Sequence, residues 1–91
     1  MARQVRQSTQ FRRDIKRLTR QGADLAKLEA VVICLVAELP LDERHRDHAL
    51  TGNWRGYRDC HIEPDWLLLY RIVDDELQLT RTGSHAEFFG R

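Results

Sequence analysis

A chain of 91 residues, 42% hydrophobic and 32% charged with a formal net charge of +1, has the size and composition of one soluble domain, residues 1–91. No stretch approaches the ~18–20 consecutive apolar residues of a membrane span, and the opening "MARQVRQSTQF" lacks the apolar core of a signal peptide. Two cysteines make no disulfide framework, so a transmembrane protein and a secreted disulfide scaffold are excluded and a cytoplasmic domain is expected.

In chain order, "RQVRQS" has weak β character and predicts a short strand. Phe11, Ile15 and Leu18 then recur on one helical face. Ser8 or Thr9 is placed to cap that helix, and Gly22 to end it. Basic residues crowd this region: Arg3, Arg6, Arg12, Arg13, Lys16, Arg17 and Arg20 against the single acid Asp14. That cluster reads as a solvated helix face or as a footprint for a polyanion. Asp24 caps a second helix whose apolar positions run Leu25, Leu28, Val32, Leu35, Val36 and Leu39, with Pro40 as its stop. Cys34, within "VVICLV", reads as a buried free thiol.

Residues 41–53 read as a loop. "WRGYRDCHI" alternates, with Tyr57, Asp59 and His61 on one face and Arg58, Cys60 and Ile62 on the other. Trp54 and Tyr57 read as packing residues. "EPD" is a turn, "WLLLYRIV" a central strand, and "LQLTRT" a further strand with Leu77, Leu79 and Arg81 on one face. Ser84 opens one helical turn. The predicted class is α+β: two N-terminal helices packed on one face of a small antiparallel sheet, with a short C-terminal helical turn. The other sheet face has no predicted cover and is left as a binding surface.

The chemistry concentrates in residues 48–89. Histidine's unperturbed pKa of about 6.5 lets it exchange protons near neutrality, and the hairpins can gather His48, His61 and His85. Asp65 is placed to orient an imidazole or to shape the turn with Pro64. Trp66 and Phe89 offer stacking faces, Trp66 being equally a core residue. Arg58 and Arg81 are candidates for phosphate, Arg81 alternatively for pairing with Asp59. His45 reads as a surface or hydrogen-bonded residue. His48, Cys60, His61 and His85 are potential metal ligands, but no paired spacing such as CxxC or HxxxH accompanies them, and neither metal nor cofactor is expected. No serine is well placed as nucleophile, and Cys60 points away from His61. The set suits RNA cleavage, where the substrate's own 2′-hydroxyl attacks.

The segments "DHALTGNWRGYRDCHIEPDWLLLY" and "RTGSHAEFF" resemble the YafQ-type toxins of the RelE/ParE superfamily, from bacterial type II toxin–antitoxin systems; "FRRDIKRLTRQGADLAKL" is similar to that family's helical hairpin. The resemblance implies a ribosome-dependent endoribonuclease acting on mRNA in the A site of the 70S ribosome. It implies His85 as proton donor to the leaving 5′-oxygen, His48 and His61 as base and phosphate stabilisers, Asp65 as imidazole support, and Trp66 and Phe89 as RNA holders, with Arg81 a further basic position. It implies as partner a cognate antitoxin that wraps and inhibits the toxin, often in a heterotetramer, with operator DNA reached only through the antitoxin. The alternatives are a gyrase-poisoning interaction toxin and an inactive RNA-binding relative.

Overall fold

The computed structural model describes residues 2–90; of the predicted 1–91 span, Met1 and Arg91 lie outside the described residues. The elements are β1 (Gln4–Gln7), α1 (Thr9–Arg20), α2 (Leu25–Val36), β2 (His48–Ala49), β3 (Arg58–Glu63), β4 (Trp66–Val73), β5 (Glu76–Gly83) and α3 (His85–Phe89), with 3₁₀ turns at Glu43–His45 and Gly52–Trp54. They form an α+β fold around a five-stranded sheet ordered β1-β5-β4-β3-β2.

Local chemistry sets the helix ends. The Ser8 hydroxyl accepts the Phe11 N–H (2.9 Å) and starts α1. At its end Gly22, at φ +77°, closes a Schellman turn in which Ala23 N–H reaches the Leu18 carbonyl (3.0 Å). α2 begins at Asp24 as predicted, but it ends at Val36, before Leu39 and Pro40. Glu38 takes the left-handed position (φ +61°), and Leu39 N–H closes the same motif on the Cys34 carbonyl at 3.0 Å. Leu39 is thereby exposed. Cys34 is only partly buried, contrary to expectation.

One core joins both helices to the sheet. Phe11, Leu18, Leu28, Val31 and Leu35 pack with Cys60, Ile62, Trp66, Leu68, Tyr70, Leu77 and Leu79. β4 is central: Leu67, Leu68 and Leu69 are all fully buried. The sheet differs from the predicted antiparallel one in that β1 joins the far edge of β5 in parallel. The 41–53 loop contributes β2, two residues that set His48 opposite Asp59.

A bulge corrects the reading of β5. Tyr70 opposes Leu79 but Leu69 opposes Arg81, so Thr80 is the extra residue. Arg81 therefore leaves the Leu77–Leu79 row and joins the row of Leu69 and Asp59. The second sheet face is not open as expected. Leu67, Leu69 and Asp59 are buried there. The loop and tail also meet each other, with the Trp54 ring edge-on to Tyr57 and to Phe88 and its indole N–H donating to the Phe88 carbonyl (3.4 Å). Among the described residues no helix is long and apolar enough to cross a membrane.

Candidate active site

Four short segments bring three histidines and two carboxylates together. The β2–β3 pairing places His48 opposite Asp59, and the β3–β4 hairpin carries His61 and turns through Asp65. Ser84 caps α3 through a capping box with Glu87, which sets His85 as the first helical residue.

His85 is fixed by Asp65. One carboxylate oxygen accepts both the His85 backbone N–H (3.0 Å) and ring Nδ1–H (2.8 Å). The backbone bond first, then the imidazole bond, holds the Asp65 carboxyl below its usual range. Since Nδ1 carries that hydrogen, Nε2 is the free end of the ring. The His61 ring lies beside it, centroids 5.3 Å apart, and the Phe89 ring stands 6.3 Å from His85.

His61 is largely enclosed, with 16% of its side chain exposed, and Nδ1 has no hydrogen-bond partner. It faces Asp59 Oδ1 at 3.9 Å. Burial lowers the His61 pKa against the pull of the Asp59 charge, so the ring is neutral at pH 7. Burial likewise pushes the Asp59 carboxyl up, opposed by His61, His48 and His85. The second Asp59 oxygen faces His48 Nε2 at 3.8 Å. Asp59 thus bridges two imidazoles electrostatically without a close hydrogen bond to either.

The His45 ring and the Arg46 backbone tie the set together. His45 Nδ1–H donates to the His61 carbonyl and His48 Nδ1–H to the Arg46 carbonyl, both at 2.6 Å. Sequence reasoning gave His45 no role, and it considered Asp59 only as a partner for Arg81. The alternation of "YRDCHI" already placed Asp59 on the face of His61.

Three expected substrate contacts are held elsewhere. The Arg81 guanidinium is bound by Asp14 (2.8 and 3.1 Å), not by Asp59, and lies over the Phe88 ring at 4.9 Å. Asp14, fully buried, also accepts Arg17 (2.9 Å) and the Thr82 N–H (3.0 Å). Burial drives its carboxyl upward, but these bonds, Arg81's foremost, outweigh it and hold the carboxyl low. Arg58 is paired with Asp47 (3.2 Å), which also accepts the Tyr70 hydroxyl (2.6 Å). Strand alternation points Arg58 away from His61. Trp66 is a core residue, 6% exposed, its indole N–H donating to the Thr82 hydroxyl at 2.8 Å. Phe89 is 38% exposed. Of the two terminal aromatics, Phe88 is occupied by Trp54 and Arg81 and Phe89 faces His85.

Burial pushes the Cys60 thiol up to about 12, on the opposite side of β3 from His61. Among the described residues no group of three or more His, Cys, Asp or Glu is placed to hold a metal ion. A surface cavity of about 740 Å³ lies between α2 and the β3–β4 turn and includes His45 but not His61; a smaller one of about 440 Å³ reaches His61.

Fold and site together define a small α+β domain that presents a histidine–carboxylate cluster of the acid–base type at one end of its sheet. Residues 3–90 match the family described as a bacterial toxin of type II toxin–antitoxin system, YafQ, and the chain belongs to that family. It is 42% identical over 89 residues to the mRNA interferase toxin YafQ of Escherichia coli (strain K12), across 97% of both chains. It is 40% identical over 90 residues to a putative toxin YafQ of Haemophilus influenzae, across 91% of this chain and 88% of that one. The crystal structure of the E. coli DinJ–YafQ toxin–antitoxin complex matches it with a TM-score of 0.90 at 41% identity, covering 99% of this chain and 100% of that chain.

Proposed function

We propose that this chain is an mRNA interferase, an endoribonuclease that cuts mRNA in the ribosomal A site and so inhibits translation in the cytoplasm. The observation that carries the reading is the adjacency of His61 and His85, each beside a different carboxylate, Asp59 and Asp65. A neutral, enclosed imidazole beside one whose Nε2 is free makes an acid–base pair. His61 takes the proton of the RNA 2′-hydroxyl, and the 2′-oxygen attacks the adjacent phosphorus. A 2′,3′-cyclic phosphate forms, the bond from phosphorus to the 5′-oxygen breaks, and His85 delivers a proton to that oxygen. His48 stabilises the charge developing on the phosphate. Asp65 and Asp59 are positioning residues for His85 and for His61 with His48. Phe89 supplies the stacking face; Trp66, Arg58 and Arg81 hold the scaffold. A gyrase poison or a plain RNA-binding module has no use for two such imidazoles.

The partner follows from the family. The E. coli relative forms a complex with DinJ. Here a cognate antitoxin would wrap the chain into a heterotetramer and carry it as corepressor to operator DNA. The single-domain reading rests on the one core cluster shared by helices and sheet. Primer extension on a reporter mRNA after brief induction of the chain and of His85→Ala tests the activity. Discrete, translation-dependent cuts that vanish in the variant are expected. Arrested growth over intact mRNA would overturn the reading.

A further inference from the structure

Both arginines expected to meet phosphate are held by carboxylates, Arg58 by Asp47 and Arg81 by Asp14. The other fixed charges at the site, Asp59 and Asp65, are acidic. A polyanion crossing this surface needs a cation from elsewhere.

The 3₁₀ turn Glu43–His45 and the residue after it supply one. Arg46 sits at φ +48°, a left-handed conformation disfavoured for any residue but glycine, asparagine or aspartate. It is held there from several sides. Its N–H donates to the Glu43 carbonyl (3.0 Å), its own carbonyl takes the His48 Nδ1–H, and its neighbour His45 is bonded to the His61 carbonyl. The backbone that presents Arg46 is thus tied to two of the three site histidines.

The side chain has a place to act. A cavity of about 440 Å³, within the range of small-ligand pockets, is lined by Arg44, His45, Arg46, His61, Glu63 and Pro64. Its one acid, Glu63, is already neutralised by Lys27 at 2.6 Å. Arg44 and Arg46 are exposed and have no ion-pair partner among the described residues. The cavity is therefore net positive and opens on His61. The Arg46 charge opposes protonation of His61, after burial and the neighbouring His85, and both residues line the same cavity.

We propose that Arg46, with Arg44 beside it, binds a backbone phosphate of single-stranded RNA next to the scissile one, in the cavity on the His45 side of His61. The choice of RNA rests on the ribonuclease reading above. The cation expected from Arg58 and Arg81 comes instead from the turn after Glu43–His45, so the strand enters along that turn and leaves past Phe89.

The test uses the full chain and a single-stranded RNA oligonucleotide made uncleavable by 2′-O-methylation. Affinity is measured across a salt series for the wild type, Arg46→Gln, Arg46→Lys and Arg12→Gln, the last an exposed α1 arginine as charge control. Arg46→Gln is expected to weaken binding roughly tenfold and to reduce the log–log salt slope by about 0.7, one phosphate contact on a single strand. Arg46→Lys keeps most of both, since a point charge suffices; Arg12→Gln changes neither. A merely structural Arg46 would not move the salt slope and would not be rescued by lysine. Wild-type affinity and slope in Arg46→Gln, a loss no larger than in Arg12→Gln, or no salt-dependent binding by the wild type would each overturn the proposal. Binding decides the matter whether or not ribosome-bound mRNA is cut: binding through Arg46 without any cleavage would sink the ribonuclease reading alone.

Discussion

His61 Nδ1 and Asp59 Oδ1 lie 3.9 Å apart, both buried, and neither has a hydrogen-bond partner. Two titrating groups held just beyond hydrogen-bond reach form a poor structural contact and a useful chemical one. The folded state raises the Asp59 pKa by burial and lowers that of His61 by burial. The folded chain thus binds the Asp59 proton more tightly than the unfolded chain does. From pH 3.8 up to its folded value, stability falls, and the deficit persists at neutrality. For His61 the folded chain binds the proton less tightly, so stability is lost as pH falls from 6.5 through the lower folded value.

Asp59→Asn should therefore separate stability from activity. Denaturant unfolding at pH 7 is expected to show a gain of up to about 1 kcal/mol, because a buried charge is removed. The His61 titration, followed by NMR, should move further down without the Asp59 charge, and the acid limb of cleavage should move with it. A destabilised Asn variant with an unmoved His61 titration would show that Asp59 serves packing instead.

Replacing the donor pair should act on rate alone. His85→Ala is expected to lose about 10²–10⁴-fold in cleavage rate. Asp65→Asn, which keeps an oxygen acceptor but no charge, should lose less. Both side chains are solvent-facing, so melting temperatures at pH 7 should stay near wild type. Equal losses accompanied by unfolding would assign Asp65 to the hairpin turn alone.

The two aromatics expected to hold RNA should divide. Trp66→Phe removes an indole bond to Thr82 within the core and should cost about 1–2 kcal/mol of stability, with the rate per folded molecule preserved. Phe89→Ala should leave stability nearly unchanged and raise KM on programmed ribosomes. The opposite pattern would return Trp66 to the substrate.

Asp14 is expected to be the most sensitive carboxylate for folding. Asp14→Ala strands Arg81, Arg17 and the Thr82 N–H, and should cost about 3–5 kcal/mol by denaturant unfolding. Its folded pKa is depressed, so the stability it contributes is present above pH 3.8 and is lost as pH falls through the lower folded value. Acid unfolding that is identical in wild type and Asp14→Ala would contradict this.

What was legible in the sequence was what local chemistry decides. α1 shows its ends because serine caps it and glycine closes it. α2 hides its end because the same turn is made by Glu38, a residue with no preference for it. β1 is four exposed residues with no alternation, and its parallel pairing is fixed only by β5. The β5 bulge at Thr80 leaves no mark in an alternating segment, so the direction of Arg81 was misread. Asp14 looked like one acid among helix-surface bases; its partner lies 67 residues away. Alternation puts His61 and Asp59 on one face, and the hairpin pattern suggests Asp65, His85 and Phe89 as imidazole support, titrating group and stacking face. The division into proton donor, base and phosphate stabiliser comes only with the family resemblance, because the contact of His85 with Asp65 joins a turn and a helix 20 residues apart.

The most direct measurement is cleavage on programmed ribosomes of an mRNA carrying a single 2′-deoxynucleotide at the cut position, beside the all-ribose message, with the product ends analysed. The ribose message should be cut to a 2′,3′-cyclic phosphate and a 5′-hydroxyl, and the deoxy message should stay intact at that position. Cutting of the deoxy message at the same position would contradict a 2′-hydroxyl nucleophile and, with it, the His61–His85 acid–base pair as the centre of this site.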